Sequence, residues 1–216
     1  MSLPAILDAR ERRWHTKQTL AGRFRSRVLS LCLNIPGPDK NPPGAERAFA
    51  LLQAALREAH ARELRSLQRE RRGLRCRLRQ GRTRAKRRAG PFARATGKKL
   101  RHACCFTILR EMHGTGVDGP HWLMVSPLPG FTLKRMAVRL EREHPLGRLA
   151  DIDVLTETGT IISRADLGLA PRRCFLCDEA AMLCRQRNSH PQEQLMACIA
   201  TMLTGALSSP TWPKGY

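Results

Sequence analysis

The spacing of apolar side chains changes several times along this chain, and each change marks an element. With Ile6, Leu7, Arg10 and Trp14 at helical spacing, Leu3 to Leu20 reads as a helix, closed by a turn signal at Ala21-Gly22. Val28, Leu29, Leu31, Leu33 and Ile35 follow the two-residue period of a strand that the Pro36-Gly37-Pro38 run must end. From Ala45 to about Arg65, apolar positions at Ala48, Phe49, Leu51, Leu52, Ala55 and Leu56 predict a core-facing helix. Ala103 to Leu109 and His121 to Val125 are strand-like, and Gly114, Gly116, Gly119 and Pro120 between them predict a turn. Leu133, Met136, Ala137 and Leu140 predict a helix over Thr132 to Glu143. Asp151 to Leu155 and Thr160 to Ser163 read as two short strands joined across Glu157-Thr158-Gly159. Glu179 to Arg187 and Gln192 to Leu207 close the chain as helices, the second opened by Pro191.

Strands interleaved with helices predict an α+β architecture, a mixed sheet flanked by helices. One interval breaks the pattern. Gln68 to Lys99 holds few large apolar residues, several glycines and dense arginine. Like charges repel there, and little apolar surface offsets the entropy of ordering, so about 66–101 reads as an irregular or partly helical segment.

Charge sharpens that division. Of a net +21 over 216 residues, the interval Arg57 to Arg101 carries 18 Lys and Arg against three acids, leaving +6 for the rest of the chain. The extreme basicity therefore belongs to one segment. A basic arm over 65–101 would bind polyanions through salt-sensitive phosphate contacts, so a nucleic-acid-binding protein is the alternative reading. No apolar run approaches the roughly 18 residues of a membrane helix, and Met1 to Arg13 is charged, without a secretory core. The expectation is a cytoplasmic protein without membrane partners, its eight cysteines kept reduced.

Two clusters carry chemistry. Asp151 and Asp153, one residue apart on a strand, place both carboxylates on the same face. Carboxylates held that close repel, and their natural partner is a divalent cation, Mg²⁺ where the substrate brings phosphates. Gly147-Arg148 precedes the pair, while Arg164, Arg172 and Arg173 follow it with guanidinium groups suited to phosphate. Glu141 is a candidate third acid. A bare Asp-x-Asp is also what a solvated strand with two exposed acids presents. The second cluster is Cys174, Cys177, Cys184 and His190, a C-x2-C-x6-C-x5-H pattern able to complete a tetrahedral zinc site. Reduced, buried thiols would give the same pattern, and a zinc-stabilised interaction module without catalysis is a further rival.

The run His144-Pro145-Leu146-Gly147-Arg148-Leu149, then Asp151-Ile152-Asp153-Val154, Ile162-Ser163-Arg164 and Pro171-Arg172-Arg173-Cys174 resembles the citrate lyase holo-acyl-carrier-protein synthases, or apo-citrate lyase phosphoribosyl-dephospho-CoA transferases. Asn34-Ile35-Pro36-Gly37-Pro38 with Lys40, then Lys134, Glu141, Cys177, Cys184 and His190 extend the resemblance to about two-thirds of the chain. It implies transfer of the prosthetic group from 2′-(5″-triphosphoribosyl)-3′-dephospho-CoA to a serine of the apo-acyl carrier subunit of citrate lyase, with loss of pyrophosphate. That is nucleotidyltransferase-type chemistry, implying a nucleotidyltransferase-like fold. On this resemblance Asp151 and Asp153 bind Mg²⁺, with Glu141 as a third acid or base. Gly147, Arg148 and Arg164 contact the triphosphate, and Arg172 and Arg173 bind donor phosphates or the carrier. The domain is expected over 1–207, interrupted by an insertion at about 63–101 and followed by a tail over 208–216.

Overall fold

The apolar alternation of residues 28–33 becomes the centre of a sheet. In a computed structural model of the chain, residues 3–88 and 107–208 are described, their side chains over 3–73 and 107–205. Two units are distinguished, residues 1–60 with 108–216, and residues 61–107. In the first, β1 (Arg27–Leu33) lies between β3 (Gly119–Ser126) and β4 (Ala150–Leu155), and β2 (Arg110–Gly116) pairs with the far side of β3. Every pairing is antiparallel, which corrects the expected mixed sheet. The two-residue turn Val117-Asp118 between β2 and β3 can only reverse the chain, whereas a parallel pair needs a long crossover.

Alternation sorts the side chains onto two faces. Leu29, Leu31, Trp122, Met124, Ile152 and Val154 are buried on one. The amino-terminal half of α2 (Ala45–Arg88) belongs to this face. It buries Ala48, Phe49, Leu52 and Leu56 at helical spacing, and the Arg57 guanidinium lies 5.2 Å from the Trp122 ring. Helix α3 (Gly130–Glu143) packs beside β4 through Leu133, Met136, Ala137 and Leu140. On the opposite face, α1 (Leu3–Phe24) presses Leu20 and Ala21 against Val28, Leu123, Val125 and Leu155. Burial of these apolar side chains stabilises the sheet by roughly 1.5–3 kcal/mol for each large one. The strand positions next along this face are polar: Ser30, Cys32, His121, Asp151 and Asp153.

Several boundaries differ from expectation for identifiable reasons. Helix α1 continues past Ala21-Gly22 to Phe24. It ends where Arg25 takes a left-handed φ of 45° and the Ser26 N–H donates to the Ala21 carbonyl, a helix-terminating motif that glycine usually supplies. Helix α2 continues to Arg88 rather than dissolving after Arg65, because arginine is a good helix former and no proline intervenes before Pro91. Residues 89–101 of the expected insertion lie outside the described residues, as do 103–106 of the expected strand and 209–216 of the tail.

The glycines of the expected turn instead belong to strands. Gly114 sits in β2 beneath the His121 imidazole, where an added Cβ would lie 2.6 Å from the ring, so glycine here answers cross-strand packing. The strand after Thr160 is reduced to one antiparallel bridge between Leu155 and Ile161. The last two helices are α4 (Ala181–Arg187) and α5 (Gln192–Ser208). Among the described residues, no helix is long and apolar enough to cross a membrane.

His60, at the α2 end of the first unit, is buried with Nε2 2.7 Å from Ser126 Oγ. Burial pushes its pKa down to about 4. Protons therefore bind the unfolded chain more readily between about pH 6.5 and 4, and stability falls as pH drops through that window. The loss attributable to His60 should approach about 3 kcal/mol. Urea unfolding at stepped pH should show this slope in the native chain and a flatter one in His60→Gln.

Candidate active site

The polar end of the α1 face opens into a cleft of 1220 Å³. Its floor includes Asp151 of β4, and its walls carry Arg10, Arg13 and Lys17 from α1 with Arg172 and Arg185 from the carboxy-terminal region. The structure thus brings Asp151, Arg172 and three members of the Cys/His cluster, Cys174, Cys184 and His190, together around one opening, although Asp151 and His190 are far apart in sequence.

Strand geometry sets Asp151 opposite Cys32 and Asp153 opposite Ser30, both carboxylates on the α1 face. The Asp151 side chain is 57% accessible through the mouth of the cleft, yet protein surrounds it on the other sides. Desolvation raises its pKa, and the like charge of Asp153 raises it further, against the lowering influence of Arg172 and Lys17. Asp153 is more enclosed: Lys17 Nζ donates to Oδ2 across 2.7 Å, and the lysine side chain is only 7% exposed. Lys134, buried beneath β4, donates to the Ile152 carbonyl at 3.4 Å. Burial lowers its pKa, an effect opposed chiefly by Glu141 and Asp153.

The expected phosphate ligands divide into two groups. Glu141 is buried and pairs with Arg164 at 2.5 Å, so Arg164 is directed into the protein. Arg148 is likewise engaged, its Nη2 donating to the carbonyls of Arg173 and Cys174 and its guanidinium stacked over Phe175. Arg173 is exposed and pairs with Asp178 at 2.8 Å. Gly147 faces α3, where an added Cβ would lie 2.3 Å from the Leu140 carbonyl oxygen. Glycine there permits the close approach that aims the following strand. Arg172 alone of this set both lines the cleft and lies near a motif carboxylate. Its Nη2 donates to the carbonyls of Arg148 (3.0 Å) and Ala150 (2.8 Å), and its Nη1 stands 3.9 Å from Asp151.

The sequence gives Lys17, Arg10 and Arg13 no site role. Arg10 and Trp14 are legible at helical spacing and Lys17 continues their stripe on α1, but nothing in the sequence reveals that it overhangs β4. Arg13 pairs with the buried Asp118 in the β2–β3 turn, fixing α1 over the sheet. Lys40 folds inward, donating to the Ile35 carbonyl at 2.5 Å.

Cys174, Cys177, Cys184 and His190 converge so that their ligand atoms all lie within 4.8 Å. Cys177 Sγ is 3.4 Å from Cys184 Sγ and 3.3 Å from His190 Nε2. Burial raises the Cys174 thiol pKa, but the Leu176 and Cys177 N–H groups and the neighbouring sulfurs outweigh it and lower the pKa. Burial and the other two thiols push Cys184 up to about 11. Amides aimed at the first sulfur of a C-x2-C turn favour a thiolate, and three sulfurs with one imidazole can hold one metal ion.

A family model described as apo-citrate lyase phosphoribosyl-dephospho-CoA transferase matches residues 1–76 and 80–206. Curated proteins of that name from Escherichia coli O1:K1 / APEC, Escherichia coli O9:H4 (strain HS) and Shigella boydii serotype 18 are each 42% identical over 86 residues, 40% of this chain and 47% of the relative. The chain therefore spans about half the length of the curated relatives it matches.

Replacing Gly147 by Ala should force the 147–149 turn away from α3 and cost about 1–3 kcal/mol of stability, as overpacking typically does. Thermal unfolding checks this, and a midpoint equal to that of the native chain would contradict the tight approach.

Proposed function

Because this chain belongs to the apo-citrate lyase phosphoribosyl-dephospho-CoA transferase family, we propose that it installs the phosphoribosyl-dephospho-CoA prosthetic group on the acyl carrier subunit of citrate lyase. The donor is 2′-(5″-triphosphoribosyl)-3′-dephospho-CoA. A carrier serine oxygen forms a bond to the phosphorus nearest the ribose, the adjoining phosphoanhydride breaks, and pyrophosphate leaves with the bridging oxygen. The serine proton passes to solvent or to a carboxylate. The observation that carries this reading is the cleft: Asp151, on the same face of β4 as Asp153, lines it together with Arg10, Arg13, Lys17 and Arg172. A polyphosphate needs that density of cationic donors, and the opening is large enough for a coenzyme-sized ligand.

The chemistry of the donor sets indicates which groups fit. Asp151 and Asp153 offer hard oxygens crowded by like charge, suited to Mg²⁺, which when bound would neutralise charge on the leaving pyrophosphate. Arg172 would orient the donor near Asp151, and Lys17 and Arg10 would hold the distal phosphates. The α1 helix would cover the reacting end and limit access of water. Arg148 and Arg164 support the site from behind through their internal contacts. At Cys174, Cys177, Cys184 and His190, soft sulfur donors suit zinc. With Zn–S near 2.3 Å, the edges of a tetrahedron are about 3.8 Å, comparable with the separations in the cluster. Zinc there would hold the loop bearing Arg172 against α4 and α5.

The antiparallel sheet with Asp-x-Asp on an edge strand suits a nucleotidyltransferase-like assignment, and the segment over 63–101 is read as a basic insertion in a domain over 1–207. A nucleic-acid-binding role through residues 65–101 is not favoured, since the family match runs through that segment as well, interrupted only at 77–79.

Incubating the purified chain with Mg²⁺, the triphosphoribosyl donor and apo-carrier subunit should add the prosthetic group to the carrier, read by intact mass, and no adduct would overturn the assignment. Asp151→Asn, at an accessible position, should leave folding intact and reduce transfer by about 100-fold or more. Elemental analysis should find one zinc per chain, and Cys177→Ser should lose the zinc and lower the unfolding temperature.

A further inference from the structure

Both carboxylates of β4 already have a cation supplied by the chain itself. Lys17 Nζ stands 2.7 Å from Asp153, and Arg172 Nη1 stands 3.9 Å from Asp151. The two cations differ in what else holds them. Arg172 is fixed by two backbone carbonyls. The hydrogen bond that Lys17 donates among the described residues goes to Asp153 alone, which leaves the ammonium with N–H groups to spare. Its stem passes the Trp14 ring, with Nζ 5.4 Å from the centroid, and the residue lines the cleft. Lys17 is therefore an enclosed cation with one carboxylate partner at the edge of a space built for anions.

From this geometry we infer that Lys17 occupies the cation position on Asp153 until a polyphosphate draws it away, so that divalent metal and polyphosphate enter the cleft as cooperative partners. The inference rests on the proposed polyphosphate chemistry and deepens it. A carboxylate neutralised at close range offers little to a hydrated divalent ion, which gives up its water reluctantly. An arriving polyphosphate supplies better acceptors for the ammonium, and Lys17 needs only side-chain rotation to reach them. The Asp153 oxygens are then released to a metal that the phosphate oxygens also bind. Coupling of this kind is reciprocal: whatever factor the polyphosphate adds to metal affinity, the metal adds to polyphosphate affinity. The site would select the metal–polyphosphate pair over free metal.

The test reads binding, not transfer. Mn²⁺ binding to the full chain is followed by the paramagnetic resonance of the free ion, and tripolyphosphate binding by calorimetry with divalent ions chelated. Lys17→Met should bind Mn²⁺ alone about tenfold tighter than the native chain and tripolyphosphate about tenfold weaker, within the usual range of coupling between sites. Lys17→Arg, which keeps the charge, should stay near the native chain in both. The gain in Mn²⁺ affinity should vanish when Asp151→Asn is added to Lys17→Met.

Unchanged or weaker Mn²⁺ binding in Lys17→Met, or unchanged tripolyphosphate binding, would overturn the proposal. If Lys17→Met does not fold, the native chain still decides. Corrected for their complex in solution, tripolyphosphate should tighten Mn²⁺ binding about 5- to 150-fold, and equal affinity with and without it would overturn the idea. A missing adduct on the carrier beside intact coupling would overturn the assigned substrate and not the role of Lys17. An adduct beside uncoupled isotherms would do the reverse.

Discussion

Two negative charges on adjacent same-side positions of one strand are the constraint around which this molecule is arranged. Asp151 and Asp153 cannot both be ionised near protein without compensation. The fold supplies it from three directions: Lys17 from α1, Arg172 from the loop before the Cys/His cluster, and Lys134 from beneath. Glu141 then serves the compensators, pairing with Arg164 and standing 3.9 Å from Arg172. The result is an alternating lattice of charge, in which removing one member leaves a neighbour uncompensated at partial burial.

The scaffold makes that lattice possible by dividing one sheet face into two halves. Near the end of α1, Leu20 and Ala21 close an apolar half against Val28, Val125 and Leu155. Further back along the helix the facing positions are charged, and the same strands present Cys32, His121, Asp151 and Asp153. Helix α1 is thus glued at one end and electrostatically held at the other, by Lys17 to Asp153 and by Arg13 to Asp118. Because β4 is the outermost strand beside β1, Asp151 faces an open cleft rather than a closed interior.

The Cys/His cluster belongs to the same construction. The Cys174 carbonyl accepts from Arg148, and Arg172 reaches back to the Arg148 and Ala150 carbonyls just ahead of Asp151, so the loop carrying the thiols and the start of β4 are stitched in both directions. A metal held by the four side chains would stabilise the wall of the cleft and do no chemistry in it.

How much of this was legible beforehand can be judged residue by residue. The period-two run through Leu29, Leu31 and Leu33 specified β1, and the 3.6-residue period of Leu133, Met136, Ala137 and Leu140 specified α3, because both were strong local patterns. The spacing of Asp151 and Asp153, and of the three cysteines with His190, fixed which donors could meet. Local pattern misled at Gly114 and Gly116, which look like turn residues but lie in β2 because a ring from the next strand packs over one of them. After Arg65 local pattern left an irregular or partly helical segment open, and helix propensity carries α2 on to Arg88. Which arginines face the cleft, and that a lysine from the first helix meets Asp153, were settled only by tertiary structure. The α1 contacts, Lys17 with Asp153 and Arg13 with Asp118, join residues more than a hundred positions apart, and the sequence records side-chain chemistry and period but not the distance at which one helix crosses one strand.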